Sequence, residues 1–215
     1  MKNINLIILI PCYNEKKTII KILNSIKKKK LKYLVIDNNS NDGTKEILKK
    51  NKINYQVNKI KGYESTILYG FKYILKNNPN FDYIITLDAD GEHKINEIKL
   101  FLKTLNSKPD LVVGNRNRKN RILESVLSAL FKIKFNIADP LSGYKAYSKK
   151  IIKDFRHYEH NLFLTDIINF NYKKKKLTNI AITSPKRNGL TKQGPSFQTN
   201  IKILNRWNKK KIIFQ

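Results

Sequence analysis

The chain has 215 residues, 40% of them hydrophobic, which is enough for one cored domain and too apolar for a disordered chain. Its 44 lysines and arginines outweigh 16 acids to give a net charge of +28, which fits either solvated lysine-rich faces or attraction to an anionic surface. The single cysteine, Cys12, excludes an intrachain disulfide, and the longest apolar run, from Leu6 to Pro11, is too short to cross a bilayer.

Taken in order, the chain alternates between two periodicities. Asn5 to Ile10 reads as a strand that Pro11 is expected to end, followed by a loop from Pro11 to Glu15 and a helix of about 14 residues with Ile19, Ile20, Leu23 and Ile26 on one stripe. Leu34 to Asp37 is a second strand, and 38–44 is almost entirely turn chemistry before a short helix at 44–50. A strand at 54–57 precedes a helix opened by Gly62 and carrying Ile67, Leu68, Phe71 and Leu75. The run Tyr83 to Leu87 is a buried strand, and Ile95, Ile98, Phe101, Leu102 and Leu105 mark the helix after it. With the strand at 111–113, this alternation predicts an α/β, doubly wound, mostly parallel sheet flanked by helices, with no domain boundary.

Beyond Gly114 the segment 115–121 is polar and holds Arg116, Arg118 and Arg121. A helix is expected at 122–135, strands at 144–147 and 177–183, the second with Ile180 and Ile182 on one face, and a helix at 162–172. The segment 184–194 is a loop rich in glycine and cations, and a last helix presents Ile201, Leu204 and Trp207 together. The lysines are spread out, with runs at 27–30, 173–176 and 209–211, and only six of the basic residues are arginine. Such runs fit solvated helix ends, or a drift towards Lys, Asn and Ile, as well as they fit attraction to a membrane or nucleic acid. Met1-Lys2-Asn3 leads straight into the first strand, so a cytosolic chain without a leader is expected.

The strongest chemical signal stands at the end of the Tyr83 strand, where Asp88, Asp90 and Glu92 crowd three carboxylates into five residues. In open α/β sheets ligands bind beyond the carboxyl ends of the strands. Clustered carboxylates suit Mg²⁺ or Mn²⁺, which prefer oxygen ligands and keep positions open for substrate phosphates. Taken alone, the pattern also fits a strand ending in a polar turn that caps the next helix.

Together these pieces resemble the family 2 glycosyltransferases, inverting nucleotide-sugar enzymes of the GT-A fold, and within them the dolichyl- or polyprenyl-phosphate sugar synthase branch. The resemblance runs from Ile8 to about Gly194, with its motifs in the family's order. Pro11-Cys12-Tyr13-Asn14-Glu15 matches the opening Pro-x-Tyr-Asn-Glu, and 35–44 matches Val-Asp-Asp-Gly-Ser-x-Asp-Gly-Thr. Asp88-Ala89-Asp90-Gly91-Glu92-His93 matches the metal motif, Gly114-Asn115-Arg116 matches Gly-Ser-Arg, and 139–144 matches Asp-x-x-Ser-Gly-Phe. Residues 187–192 resemble Arg-x-x-Gly-x-Ser-Lys. The sequence departs from the family at Asn38, where a second aspartate is usual, at Lys94, where proline often follows the histidine, and in lacking the transmembrane segments of some members.

The resemblance implies a single glycosyltransferase domain over 1–215, with 1–114 holding the nucleotide sugar and 115–215 the acceptor. It implies that Pro11, Tyr13, Glu15 and Asp37 hold base and ribose, that Asp88, Asp90 and Glu92 hold the divalent ion against the diphosphate, and that Arg116, Arg187 and Lys192 bind phosphates. Asp90, Arg116 and Asp139 form the catalytic set, and Asp139 is the candidate general base should the acceptor be a hydroxyl. A lipid phosphate acceptor is already ionised and needs no base. Membrane association would be peripheral, at the cytoplasmic face, through lysines or the final helix with Trp207 and Phe214.

Three rival readings stand beside this one. A family 2 enzyme could instead glycosylate a hydroxyl of a surface-polysaccharide or glycolipid precursor. A nucleic-acid-binding protein is suggested by charge alone, without a recognition helix or an RNA-binding aromatic motif. A nucleotidyltransferase would need a glycine-rich opening loop with a basic residue, which 11–15 is not. Cys12 reads as a small packed residue, and the i, i+3 pair His157 and His160 as a weak metal signal.

Overall fold

A computed structural model describes residues 4–91, 93–117, 122–155 and 176–183. Seven strands form one sheet: β1 (Leu6–Cys12), β2 (Lys32–Asp37), β3 (Tyr55–Val57), β4 (Tyr83–Thr86), β5 (Leu111–Arg116), β6 (Lys145–Ser148) and β7 (Leu177–Ile182). Their order across the sheet is β3-β2-β1-β4-β6-β5-β7. Every pairing is parallel except those of β6, which runs antiparallel to both β4 and β5. The chain is a single α/β domain with a mostly parallel sheet, as the alternation predicted.

Strand β1 runs apolar without a break because both faces of the sheet are covered. On one face Leu9, Ile36, Ile84 and Val113 meet α3 (Tyr63–Asn77), α5 (Ile122–Phe135) and α6 (Lys149–Phe155) through Phe71, Phe131 and Ile151. On the other, Ile8, Ile10, Val35 and Val112 meet α1 (Ile19–Lys28), α2 (Thr44–Lys50) and α4 (Ile98–Leu105) through Leu23, Leu48 and Phe101. Successive residues of β1 thus supply the two cores alternately, as a strand's period of two requires. Gly70 lets α3 lie close on the sheet, since a Cβ there would stand 2.5 Å from Leu9 Cδ1.

Two expectations are corrected, and one helix was not anticipated. Pro11 does not end the first strand; it sits inside β1, paired with Ile36. Leu9 O accepts from Leu87 N–H on the β4 side and Cys12 O from Asn38 N–H on the β2 side. By that alternation the proline's missing donor faces β4, which has ended at Thr86, so no ladder bond is lost. The first helix is shorter than expected, ten residues, because Glu15 O is taken up in a tight turn by the N–H groups of Thr18 and Ile19. Helix α6, only seven residues long, carries too few turns to announce itself by periodicity.

The parallel strands β1, β2, β4 and β5 end on a common edge. Because β6 is reversed, its first residue, Lys145, lies at that edge too, and so does the 139–144 loop that feeds it. The motifs of the first and second halves therefore meet.

Candidate active site

The site is built from four segments laced together by hydrogen bonds. The loop after β1 and the turn after β2 cross-tie: Asn38 N–H donates to Cys12 O at 2.8 Å, Asn14 N–H to Ser40 Oγ at 2.9 Å and Glu15 N–H to Thr44 Oγ1 at 2.9 Å. Asn14 adopts a left-handed backbone at φ 55°, and its side-chain oxygen accepts from Asn41 N–H at 2.9 Å. Within this cradle Asp37 is fully buried. Its Oδ2 accepts from Ser40 N–H at 3.0 Å, while Oδ1 has no protein partner. A buried carboxylate oxygen without a donor is costly unless a ligand supplies one. Tyr13 stands 43% exposed at the mouth of the same cradle, and Pro11 and Cys12 are buried behind it.

Asn38 has a defined task. Its amide donates to Ile60 O at 2.8 Å and to Asn58 O at 3.3 Å, and its oxygen accepts from Gly62 N–H at 2.9 Å. An aspartate has no protons for the two carbonyls. The departure at this position therefore fastens the loop that leads into α3.

Thr18 joins the cradle to the acidic motif. Its hydroxyl lies 2.8 Å from Glu15 Oε2 and 2.7 Å from Ala89 O, and donates its one proton to either. Ala89 stands between Asp88 and Asp90, so Glu15 and the two aspartates share one short bridge. Asp88 faces His93, whose Nε2 is 3.5 Å from Oδ2, while Asp88 Oδ1 is buried without a partner. Burial pushes the Asp88 carboxyl up, but the hydrogen bond and charge of His93, the Tyr63 hydroxyl and the Arg116 charge outweigh it and hold the acid below its usual range. Tyr63, the first residue of α3, is pushed well above its ordinary value by burial and by the charges of Asp88 and Asp90, so its hydroxyl stays protonated as a donor.

The fourth segment is the 139–144 loop. Thr86 Oγ1 donates to Gly143 O at 2.7 Å, and the buried Lys145 Nζ donates to Pro140 O at 3.0 Å. Gly143 lies against Asp88 so closely that a Cβ would stand 2.5 Å from the aspartate Cγ. Asp139 is fully buried and grips Arg116 at two points, Nε to Oδ2 at 2.7 Å and Nη2 to Oδ1 at 3.1 Å, while the Arg116 N–H also reaches Oδ2 at 3.2 Å. Glu124 of α5 adds a second carboxylate, 3.6 Å from Arg116 Nη2. Behind His93, the Tyr144 ring lies tilted at 45° with its centroid 5.1 Å away, and Glu97 Oε1 accepts from the N–H and hydroxyl of Thr183 at 2.7 and 2.6 Å.

Of the residues singled out by sequence, Pro11, Tyr13, Glu15, Asp37, Asp88, Asp90, Arg116 and Asp139 all lie along this edge. Glu92, Arg187, Lys192, His157, His160 and the final helix with Trp207 and Phe214 lie outside the described residues. Thr18, Tyr63, Glu124 and the contact made by Gly143 were not anticipated. Among the described residues no three His, Cys, Asp or Glu side chains converge as a complete metal cage. One buried open oxygen on Asp88 beside a second aspartate nonetheless suits a divalent ion that takes its other ligands from phosphate and water.

Residues 7–190 match the family described as Glycosyl transferase family 2. An uncharacterized protein of Methanocaldococcus jannaschii is 35% identical over 134 residues, covering 59% of this chain and 58% of the relative. Glycosyltransferase AglJ of Haloferax volcanii is 26% identical over 159 residues, 68% of this chain and 51% of the relative. The chain thus spans between half and three fifths of the length of these two curated relatives. Among solved structures, glucosyl-3-phosphoglycerate synthase from Mycobacterium tuberculosis, in complex with Mn²⁺, UDP and glucosyl-3-phosphoglycerate, superposes with a TM-score of 0.64. That match has 15% identity and covers 95% of this chain and 77% of the other, so it is a likeness of fold.

The turn after β2 yields a pH test. Burial alone would raise the Asp42 carboxyl, but the Thr44 hydroxyl and the N–H groups of Lys16 and Thr44 hold it below its ordinary value of 3.8. A depressed folded value stabilises the fold above the unfolded one, and that stability is lost as pH falls through the folded value. Chemical denaturation of Asp42→Asn and the parent chain should therefore differ most near neutral pH and converge in acid. A gap that widens in acid would contradict the assignment.

Proposed function

The chain belongs to glycosyl transferase family 2, and on that premise we propose that it moves a sugar, with inversion, from a nucleoside-diphosphate sugar to a polyprenyl phosphate. One observation carries the choice of acceptor. The carboxylate at the position of a general base, Asp139, is fully buried and has both oxygens engaged by Arg116. A hydroxyl acceptor needs a group to take its proton; a phosphate acceptor arrives ionised and does not. Asp139 then serves to aim Arg116 rather than to move a proton.

In this reading Tyr13 offers its exposed ring to the base, and Asp37 Oδ1 accepts from a base N–H or a ribose hydroxyl, with Pro11 and Glu15 shaping the cradle. Asp88, Asp90 and Glu92 hold a divalent ion, with His93 and Tyr63 orienting Asp88. Bound Mg²⁺ or Mn²⁺ supplies Lewis-acid stabilisation of the departing nucleoside diphosphate. The solved synthase has been obtained with Mn²⁺ and UDP and with Mg²⁺ and UDP, which supports that pairing of ion and leaving group. Arg187 and Lys192 gather phosphate oxygens, where a guanidinium offers two parallel donors, while Arg116, its Nε and Nη2 engaged by Asp139, adds positive charge to the site. Residues 1–114 would thus hold the donor and 115–215 the acceptor. The proposed lipid acceptor would place the reaction at the cytoplasmic face of a membrane; no helix among the described residues is long and apolar enough to cross one.

The rival acceptor is a hydroxyl, and the solved synthase, seen with phosphoglyceric acid, is an example of a different acceptor on this fold. Asp139→Asn separates the two. With polyprenyl phosphate as acceptor the variant, compared per folded protein because the buried Arg116 loses a partner charge, should keep activity within about tenfold of the parent, since no proton transfer is lost. A loss of about 10² to 10⁴-fold, confined to a hydroxyl acceptor, would mark a missing base and favour the rival. Gly143→Ala tests the architecture itself. It should lower transfer by about 10²-fold, because a catalytic group displaced by about 1 Å costs that much, while the protein still folds. Unchanged turnover would show that Asp88 does not need its present position.

A further inference from the structure

Helix α5 is apolar on two opposite sides. Phe131 and Phe135 turn into the core, with Glu124 and Ser128 buried on the same side. On the opposite side Val126, Leu130 and Ile133 are exposed by 49%, 46% and 86%. Their i, i+4, i+7 spacing places them on one stripe.

This arrangement is unlike the other described helices, which fill their exposed faces with lysine: Lys21 and Lys27 on α1, Lys72 and Lys76 on α3, Lys99 and Lys103 on α4. On the outer side of α5 the described side chains carry one charge, that of Lys132, and the helix's one carboxylate, Glu124, is turned inward against Arg116. Arg118, Lys119 and Arg121 precede the helix in sequence. Three large aliphatic residues on a helix whose described exposed side chains include a lysine and no acid, in a chain of net charge +28, form a surface suited to the headgroup boundary of an anionic bilayer. A second copy of the chain is a poorer occupant, because each would bring a charge of +28 to the contact.

We propose that the Val126–Leu130–Ile133 stripe of α5 is the surface by which the protein lies on an anionic membrane. The inference rests on the membrane-face reading above and deepens it by naming the surface. Glu124, which reaches Arg116 at 3.6 Å, stands on the opposite side of the same helix, so the stripe faces away from the Arg116–Asp139 pair.

The test is flotation of the full chain with vesicles of phosphatidylcholine, with and without phosphatidylglycerol, neither containing polyprenyl phosphate. The parent chain should float with the anionic vesicles. Val126→Gln/Leu130→Gln/Ile133→Gln should lower the bound fraction about tenfold at unchanged melting temperature, because membrane affinity scales with buried apolar area. Lys132→Glu should weaken binding further at low salt than at high salt. Equal flotation of the triple variant and the parent would overturn the proposal, as would a parent that ignores both vesicle types. A parent dimer that the triple variant converts to monomer would assign the stripe to a second copy instead. Because the vesicles hold no acceptor, failure here leaves the transfer reaction untouched, and vesicle binding without any transfer would overturn the reaction but not the surface.

Discussion

The site depends on the absence of one carbon atom. Asp88 lies where a side chain at position 143 would have to stand, so the carboxylate at the end of β4 and the loop feeding β6 occupy one shared space. That closeness follows from the reversed strand. Running β6 antiparallel between β4 and β5 brings the 139–144 loop onto the edge where β4 ends, and Thr86 and Lys145 pin its carbonyls there. Backbone oxygens buried under such a loop would be costly without those donors. The glycine and the two hydrogen bonds are therefore one device: they let the second half of the chain reach the acids of the first.

Around that contact the charges are arranged to be held rather than free. Arg116 is gripped by Asp139 and approached by Glu124, so one guanidinium faces two carboxylates in a largely buried setting. Removing one partner of such a group is far more disruptive than its net contribution to stability suggests, since the remaining charge has no water to fall back on. Asp37 and Asp88 each present one buried oxygen with no protein donor. The site thus combines a held cation with open acidic acceptors, which suits a ligand bringing its own donors together with a divalent ion. A nucleotide sugar with a divalent ion has that combination.

Much of this was legible in the sequence because the relevant signals are local. Continuous apolar runs ending in acids mark β2 and β4, turn residues mark 38–44, and the strand ends place Asp37, Asp88 and Arg116 at the carboxyl edge without reference to any other element. What escaped is what depends on partners far along the chain. Thr18 meets Ala89 across 71 residues, and no pattern near Thr18 announces it. Glu124 and Tyr63 look like ordinary polar residues near helix starts until the fold sets them beside Arg116 and Asp88. Pro11 misled because its cost was reckoned for a strand paired on both sides, whereas β4 stops short of it. Asn38 stood out only as a departure from the family's aspartate and is a clasp, its three side-chain bonds all to backbone groups of the 58–62 loop.

The proposed reaction at this edge is transfer of a sugar onto a lipid phosphate with a divalent ion bound at Asp88. The most direct measurement is the partition of radiolabel after incubation of the full chain with labelled nucleotide sugars, uridine-linked donors first, and polyprenyl phosphate, with Mg²⁺ or Mn²⁺ and with chelator. Label in the organic phase that chelator abolishes is the predicted result. Label appearing only in water-soluble products, or lipid labelling indifferent to chelator, would contradict it.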